Sequence, residues 1–283
     1  MAITSGSQRV IADLLAERTG QQLTEGRSWR IGTALAGLFR QLGISNVDQL
    51  VCLLEEPGSN ALSQQVVEAL LNNETYFFRD RAMFDQLGQH VFPRIAKERA
   101  GSRTLSILCA GCSTGQEALS LAMMFLDQET RWAGWKIEIN GFDISHDAIS
   151  KARAGVYSQF EIQRGLSVTQ MITYFSETPV GWEANDKLRA MTQYRVHNVL
   201  EPLPVKGPFD VILSRNILLY FDIETRKRAF AQLLEKLRPE GWVMLGAGET
   251  IVGQTDRLVP VKGGIGLYRS FATDLATPFT RVA

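Results

Sequence analysis

One stretch near the middle of the chain, residues 104–126 (TLSILCAGCSTGQEALSLAMMFL), limits the possible folds more than any other. It opens with an apolar run over 105–110, which is long enough for a buried strand and too short for a helix. A turn with glycines at 111 and 115 follows, and an amphipathic helical pattern starts near Gln116. A strand, a glycine turn and a helix in this order form the first unit of a nucleotide-binding α/β sheet.

The spacing of these two glycines favours a ligand without phosphates. A dinucleotide site uses the pattern G-x-G-x-x-G, whose middle glycine lets the backbone reach a pyrophosphate. Here Gly111 and Gly115 are separated by a cysteine, a serine and a threonine. A second strand is predicted over 136–142, and Asp143 follows at its end, where a carboxylate can accept hydrogen bonds from both ribose hydroxyls. Together these features favour S-adenosylmethionine as the ligand.

Composition argues against several other classes of protein. Lys plus Arg and Asp plus Glu are 30 each and the sequence pI is about 6.9, whereas a nucleic-acid-binding domain usually has a pI above about 9. No apolar run reaches the roughly 18 residues of a membrane span, and the N-terminus lacks a signal-peptide pattern. Three cysteines are too few, and odd in number, for a disulfide framework. We expect a soluble cytoplasmic protein that neither binds nucleic acid nor inserts into a membrane.

Cys109 and Cys112 form a C-x-x-C pair, which can act in redox chemistry or supply half of a metal site. The chain has no second pair, and His90, His146 and His197 show no ligand spacing. We interpret the two cysteines as residues that end the strand and line the turn, and we predict no metal site.

The first 70 residues have a mostly helical pattern of apolar residues, for example around Ile11 and Leu35. Arg27, Arg30 and Arg40, the arginine cluster, flank the second predicted helix in a region whose other charges are mostly acidic. The cluster either docks an acidic partner helix or forms a solvated helix surface.

Two later segments are also informative. Residues 72–80 (NNETYFFRD) are polar and aromatic, and they either pack a domain junction or face an adenine or sulfonium group. From residue 178 the apolar period changes toward two, which predicts a hairpin with its turn at 185–187. Such a hairpin extends a sheet edge or docks a peptide by strand addition.

The clearest buried strand after the first is predicted over 209–214 (FDVILS). Ligands in open α/β sheets bind beyond the carboxyl ends of strands, so Asn216 and Tyr220 are expected near the site. Asp222 is predicted to cap a helix that stops at 238–241 (RPEG). A strand over 243–246 and an antiparallel pair over 258–261 and 264–271 complete the predicted sheet.

Four motifs occur in the order of a known family. They are NETYFFR at 73–79, CSTGQE at 112–117, FDIS at 142–145 and SRNILLYFD at 214–222. The sequence resembles the chemotaxis-receptor protein-glutamate O-methyltransferases, the CheR family, over nearly the whole chain. It departs from that pattern at Gln116, where many relatives carry an acid, and at 118–119, where Ala-Leu replaces the usual Pro-Tyr.

The resemblance implies an α/β fold with a Rossmann-like S-adenosylmethionine-dependent methyltransferase sheet, an N-terminal all-α domain and a small β insert. The implied boundaries are a receptor-docking helical domain over 1–71 and a methyltransferase domain over 72–283, with the insert at about 176–196. The implied cofactor is S-adenosylmethionine, with S-adenosylhomocysteine as product. The implied partner is the cytoplasmic helical region of a chemoreceptor or receptor-like signalling protein, whose glutamates accept the methyl group. We expect a monomer.

The resemblance also implies roles for individual residues. Those placed around the cofactor are Asn73, Thr75, Arg79, Glu117, Asp143, Asn198, Val199, Asn216 and Ile217. Arg79 and Tyr220 are the implied catalytic residues, nearest the transferred methyl group.

The implied chemistry agrees with the residues present. Glutamate has an ordinary pKa of about 4.3, so the acceptor is already a carboxylate at neutral pH and needs no general base. Alignment of the carboxylate oxygen, methyl carbon and sulfur is what the enzyme must supply, and such positioning lowers a barrier by roughly 7–11 kcal/mol. Two alternatives stay open: a methyltransferase of small molecules, and a catalytically inactive S-adenosylmethionine-binding regulatory module. The arginine cluster argues against the first, and Arg79, Asn216 and Tyr220 argue against the second.

Overall fold

The computed structural model describes residues 6–23, 30–205 and 207–271. The helices of its N-terminal region are α1 (Gly6–Thr19), α2 (Arg30–Leu42), α3 (Val47–Leu54) and α4 (Asn60–Leu70). Their apolar faces enclose a hydrophobic cluster of their own, in which Ile11, Leu35, Leu50 and Val66 are fully buried. The helical pattern predicted for this part of the chain is confirmed where the structure describes it.

Two short helices with a π-helical turn between them, over Leu87–Val91, lead from the helical region to the first strand. They are α5 (Arg81–Gln86) and α6 (Phe92–Glu98). The strands that follow are β1 (Thr104–Ala110), β2 (Lys136–Asp143), β3 (Val156–Tyr157), β4 (Phe175–Thr178), β5 (Gly181–Ala184), β6 (Thr192–Val196), β7 (Phe209–Ser214), β8 (Leu237–Leu245), β9 (Leu258–Pro260) and β10 (Leu267–Ser270). The helices among them are α7 (Gln116–Leu126), α8 (Glu129–Trp132), α9 (His146–Ala154), α10 (Gln159–Gln163), α11 (Val168–Tyr174), α12 (Asp186–Ala190) and α13 (Ile223–Glu235).

Seven of these strands form one sheet in the order β6-β2-β1-β7-β8-β10-β9. The first five strands in this order are parallel to one another, and β10 is antiparallel to both of its neighbours, β8 and β9. From β1 the chain builds outward to β2 and β6, and then returns to add β7 on the other side. The reversal between β1 and β7 creates the crevice in which open α/β sheets bind ligands.

The two faces of β1 contact different hydrophobic clusters. Ile107 and Cys109 pack with residues of α7 such as Leu121, whereas Leu108 packs on the opposite face with residues of α13 such as Phe230. A strand covered on both faces needs a continuous apolar run rather than an alternating one, as expected for a parallel sheet. The predicted buried strand is therefore confirmed.

The predicted hairpin exists, but its turn is elsewhere. Strands β3, β5 and β4 form a small separate sheet in that order, and its hairpin turns between β4 and β5, at 179–180. The turn predicted at 185–187 is wrong, because Asn185 caps α12 by accepting a hydrogen bond from the Leu188 backbone N–H. The same Asn chemistry serves turns and helix caps. Residues 192–196, included in the predicted insert, form β6 and pair with β2 in the large sheet.

The helix predicted after Asp222 is confirmed, with Asp222 as its cap and an end two residues before the predicted one, but the break predicted at 238–241 is wrong. Helix α13 ends at Glu235, and β8 already begins at Leu237, so the RPEG segment lies inside a strand. Glu240 has a left-handed backbone with φ of 58°, and the register between β7 and β8 shifts at this point. An irregularity of this kind admits a turn-like sequence into a strand.

The fold class predicted from the sequence is confirmed: an α/β fold with a Rossmann-like sheet, preceded by helices and carrying a small β sheet. No helix in the described ranges has both the length and the apolar character needed to cross a bilayer.

Candidate functional site

A cleft opens beyond the carboxyl ends of β1, β2 and β7, at the reversal of the sheet order. Its empty volume is about 990 Å³, including the part open to solvent. Every site residue predicted from the sequence lines it, namely Asn73, Thr75, Arg79, Glu117, Asp143, Asn198, Val199, Asn216, Ile217 and Tyr220. The structure thus brings together side chains from five separate parts of the chain.

The glycine turn after β1 uses its N–H groups within the protein. Gly111 and Cys112 both donate to the Phe142 carbonyl, at 2.7 and 3.0 Å. Ser113 donates its backbone N–H to Asp143 Oδ2 at 2.8 Å. Gly111 has a φ of 76°, and a Cβ there would lie 2.2 Å from Cγ2 of Ile217, so only glycine fits. A turn with its donors engaged in this way is suited to a ligand without phosphates.

Asp143 stands at the end of β2 with its carboxylate held by two backbone donors. Oδ2 accepts from Ser113, and Oδ1 accepts from the Ser145 N–H at 2.9 Å. Burial raises the pKa of this carboxyl, and the charge of Glu68 adds to the rise, while the N–H groups of Ser145 and Ser113 oppose it. An ionised carboxylate has about four acceptor sites, so the two bonds leave capacity for two hydroxyl groups of a ligand.

Glu117, in the first turn of α7, forms a buried ion pair with Arg215. Oε2 of Glu117 lies 2.9 Å from Nη1 of Arg215, and the side chains are only 11% and 2% exposed. Burial raises the pKa of Glu117, while the charge and hydrogen bond of Arg215 oppose the rise. Nη2 of Arg215 also donates to the Arg79 carbonyl and to Asp80 Oδ2, both at 2.7 Å. Arg215 therefore holds the backbone around Arg79 in place.

Arg79 lies between two residues with left-handed backbones. Phe78 has a φ of 52° and Asp80 a φ of 58°, and such conformations cost of order 1–3 kcal/mol each and persist only where the surroundings enforce them. The Arg79 side chain donates to the Glu74 carbonyl at 2.8 Å, and its guanidinium lies 5.8 Å from the centre of the Tyr76 ring. The segment is thus held in one shape, with its cation at the cleft.

The loop after β7 is fixed by a residue that sequence reasoning missed. Glu249 accepts the backbone N–H groups of Asn216, Leu219 and Gly246, at 2.9, 3.2 and 2.7 Å. Asn216 has a left-handed backbone with φ of 61°. The only signal for Glu249 in the sequence is its position just after a predicted strand, at the edge of the sheet where ligands bind.

Tyr220 ends the 3-10 turn that follows Asn216. Its hydroxyl accepts a hydrogen bond from Asn72 Nδ2 at 2.8 Å, and its carbonyl accepts the backbone N–H of Gln22 at 2.7 Å. The N-terminal region therefore contacts this turn directly. Thr19 and Gln21 also line the cleft, and no pattern in the sequence predicted their presence there.

Cys109 and Cys112 are free, buried thiols. Burial raises the pKa of each well above its ordinary value, so the pair lacks the exposed thiolate of a redox site. Cys112 lines the turn, as predicted. Within the residues that the structure describes, no group of three or more His, Cys, Asp or Glu side chains is placed to hold a metal ion.

The arginine cluster is only partly described. Arg27 lies outside the described residues, and Arg30 and Arg40 stand at the two ends of α2. Arg40 is exposed and Arg30 half-buried. Neither lines the cleft, so any role of theirs concerns the outer surface of the helical region.

The sheet order, the glycine turn with its N–H groups engaged and the acid at the end of β2 form a Rossmann-like fold whose cleft suits a cofactor with ribose hydroxyls and no phosphates. A family model described as the CheR methyltransferase, SAM binding domain, matches residues 73–266. The chain belongs to the CheR methyltransferase family, and S-adenosylmethionine is its cofactor. The resemblance drawn from the four motifs is thus confirmed.

Curated relatives agree with this family. A chemotaxis protein methyltransferase of Vibrio parahaemolyticus is 30% identical over 94% of this chain and 98% of its own length. Chemotaxis protein methyltransferase 1 of Pseudomonas aeruginosa is 31% identical, over 90% of this chain and 94% of its own length. The probable biofilm formation methyltransferase WspC of Pseudomonas putida is 31% identical over 91% of this chain but 59% of its own length.

Proposed function

We propose that this methyltransferase transfers the methyl group of S-adenosylmethionine to glutamate side chains of a receptor-type signalling protein, giving glutamate methyl esters. The observation that carries the proposal is the composition of this cleft. The side chains that line it include two carboxylates, Glu117 and Asp143, the cation Arg79 and the hydroxyl of Tyr220. The two carboxylates can bind the ribose hydroxyls and the ammonium group of the cofactor. Arg79 and Tyr220 can bind the carboxylate that accepts the methyl group.

The residues present fit the cofactor. Asp143 keeps acceptor capacity for two ribose hydroxyls after bonding Ser113 and Ser145. Glu117 is a buried negative charge whose pairing with Arg215 uses one of its oxygens, so the other can face an ammonium group. We also assign Asn73, Thr75, Asn198, Val199, Asn216 and Ile217 to the cofactor-binding wall of the cleft.

When bound, S-adenosylmethionine supplies a methyl group on a sulfonium, and transfer forms a C–O bond to the acceptor as the C–S bond breaks. The acceptor is ionised at neutral pH, so no residue has to remove a proton. Arg79, held by the Glu74 carbonyl, attracts and orients the carboxylate. The Tyr220 hydroxyl oxygen accepts a hydrogen bond from Asn72. We assign its O–H group to donate a hydrogen bond to one oxygen of the glutamate carboxylate that receives the methyl group. These two side chains would align the attacking oxygen.

The relatives support a protein acceptor in signalling. Their names refer to chemotaxis and, in one case, to biofilm formation, so the proposed acceptor is a receptor class common to both outputs. We assign docking of its helical region to the exposed face of α2, formed by Gly32, Thr33, Gly37 and Arg40. A Cβ added at either glycine would meet nothing within 4 Å. Small residues let another helix approach closely, while Arg40 favours an acidic one.

The test is methylation of a candidate receptor's cytoplasmic fragment with S-adenosylmethionine labelled on the methyl group. We expect label on the fragment that mild alkali releases as methanol, because carboxyl esters hydrolyse readily. A fragment with its glutamates replaced by glutamine is the matched control and should stay unlabelled. Label that is stable to alkali, or that appears only on added small molecules, would contradict the proposal.

A further inference from the structure

Glu68, in the last turn of α4, reaches from the helical region to the start of α9. Its Oε2 accepts from the Ser145 hydroxyl at 2.6 Å, and its Oε1 accepts the His146 backbone N–H at 2.7 Å. Gln64, one turn earlier on α4, donates to Oε1 at 3.1 Å. The carboxylate is therefore held from its own helix while it binds two donors of another part of the chain.

Ser145 connects Glu68 to two residues that line the cofactor cleft, Asp143 and Asn73. Its side chain and backbone are fully buried, and its backbone N–H donates to Asp143 Oδ1 at 2.9 Å. Its hydroxyl oxygen accepts from Asn73 Nδ2 at 3.2 Å and from the Ala148 N–H at 3.0 Å. A hydroxyl has one proton and two lone pairs. Because the proton goes to Glu68, both lone pairs are directed at Asn73 and Ala148.

The placement of the charge is consistent with this network. Glu68 lies at the N-terminus of α9, a nine-residue helix, where a negative charge is stabilised by the unpaired N–H groups and the helix dipole. This offsets the proximity of a second carboxylate, Asp143, on the other side of Ser145.

We propose that Glu68 is a positioning residue of the cofactor site, acting through Ser145 on Asp143 and Asn73. The inference rests on the proposed cofactor contacts of those two residues. Glu68 lies before residue 73, where the match to the family's cofactor-binding domain begins. The cofactor site therefore extends into the helical region and is incomplete without α4.

The first measurement is the affinity of the full-length protein for S-adenosylhomocysteine, by calorimetry, in Glu68→Gln. The carboxamide keeps one acceptor oxygen and turns an NH₂ group toward a donor, so one hydrogen bond to a charged group is lost. We expect about tenfold weaker binding, the lower end of the effect of such a bond. Glu56→Gln is the matched control, because Glu56 is exposed in the turn after α3, and it should bind normally.

A double-mutant cycle separates positioning from a general loss of stability. If Glu68 acts through the Ser145 hydroxyl, Glu68→Gln should weaken binding little further in a Ser145→Ala background. Losses that multiply in the double variant would overturn the proposal, and so would normal affinity in Glu68→Gln.

Should Glu68→Gln fail to fold, Glu68→Asp takes its place. Aspartate keeps the charge but is one methylene shorter, so it cannot reach both donors, and weaker binding is again expected. Asp143→Ala, measured in parallel, tests the proposed function separately. Normal affinity in Asp143→Ala would remove Asp143 from the cofactor site. The Glu68 proposal would still be decided by the Glu68 variants, because Glu68 also acts on Asn73 through the Ser145 hydroxyl.

Discussion

At the scale of single residues, the site depends on a buried cation, Arg215, that is paired through both of its terminal nitrogens. The Arg215 side chain is 2% exposed, yet it pairs with Glu117 and Asp80 and also donates to the Arg79 carbonyl. A buried charge is tolerated when it is paired in this way. Its effect here is to fix the Arg79 segment, whose flanking residues have left-handed backbones.

Tyr220→Phe separates catalysis from binding. The change keeps the ring and removes the hydroxyl, so fold and S-adenosylhomocysteine affinity should survive. If the hydroxyl bonds the acceptor carboxylate mainly in the transition state, kcat and kcat/KM fall together. Loss of such a bond, about 1.5–3 kcal/mol, makes the reaction roughly 10- to 150-fold slower. Steady-state kinetics with Tyr268→Phe, at a tyrosine of β10 outside the cleft, provide the control. Full activity in Tyr220→Phe would show that its hydroxyl has no catalytic part.

The pH dependence of cofactor affinity should follow the cleft carboxylates. Burial raises the pKa of both Asp143 and Glu117, so each is protonated at a higher pH than the ordinary values of about 3.9 and 4.3. Affinity should therefore fall as the pH drops through this raised range, because the ionised forms bind the cofactor. The free energy of unfolding depends on pH in the opposite direction. A carboxyl group whose pKa is raised in the folded state stabilises the protein at low pH, and this contribution is lost as the pH rises through the folded-state pKa.

Calorimetric titrations with S-adenosylhomocysteine across the acid range test this expectation. Asp143→Asn should show a weaker dependence on pH, with the contribution of Glu117 remaining. A wild-type affinity that stays constant through the same range would exclude both carboxylates as ionised ligands of the cofactor.

At the scale of elements, the loop after β7 owes its shape to Glu249. One carboxylate accepts backbone N–H groups at 216, 219 and 246. In Glu249→Gln, one of these donors loses its partner, which costs about 1–3 kcal/mol. We expect faster hydrogen exchange at these amides, weaker cofactor binding and a lower kcat. Glu161→Gln, which alters a capping box in α10, should lower stability without changing exchange in this loop. Unchanged exchange in Glu249→Gln would contradict the assigned role.

The opposite end of β7 serves stability. Asp210 is buried between Arg99 and Arg238, at 3.1 and 2.9 Å, and accepts the Ser106 N–H of β1 at 2.9 Å. Asp210→Asn removes the charge that both arginines share, but their side chains are 26% and 31% exposed, so water can solvate them in the variant. The variant should therefore lower the free energy of unfolding by about 1.5–3 kcal/mol in denaturant titrations, the range for a hydrogen bond to a charged group. Cofactor affinity of the folded variant should hold, because Asp210 lies near the amino end of its strand. A loss of affinity without a loss of stability would reverse this assignment.

At the scale of the whole molecule, helical region and sheet meet at the cleft, through Glu68, Thr19 and Gln22. A partner that docks on α2 would contact a helix that does not itself line the cleft. Helix α2 packs against α4, which carries Glu68.

Charge reversal on α2 tests the docking surface. Arg30→Glu with Arg40→Glu should raise the KM for the receptor, because an acidic partner helix is repelled. The normal rise of KM with salt should flatten or invert, since screening now weakens a repulsion, and the rate at saturating receptor should hold. Arg228→Glu, at an exposed position of α13, is the matched control. Normal KM and normal salt dependence in the α2 variant would mean that these arginines form a solvated surface.

Much of the fold could be predicted from the sequence because the relevant signals are local. The apolar run of β1, the glycine turn and the helical pattern of α7 lie within 23 consecutive residues, 104–126. Predictions failed where one local chemistry serves two structures. Asn185 caps a helix where a turn was expected, and the RPEG segment lies within β8 because β8 itself is irregular there, with extra residues opposite β7.

From the strand pattern, the sequence by itself placed Asp143, Asn216 and Tyr220 near the site, since polar residues that follow buried strands meet at one edge of a parallel sheet. The other site residues were implied by the resemblance of the four motifs to the CheR family. Only the tertiary structure decided how those residues are held. Glu68 reaches Ser145 across 77 positions of the chain, and Arg215 reaches Glu117 across 98. Contacts at such separations leave no periodicity or spacing in the sequence, because the fold, rather than the chain between them, brings the partners together.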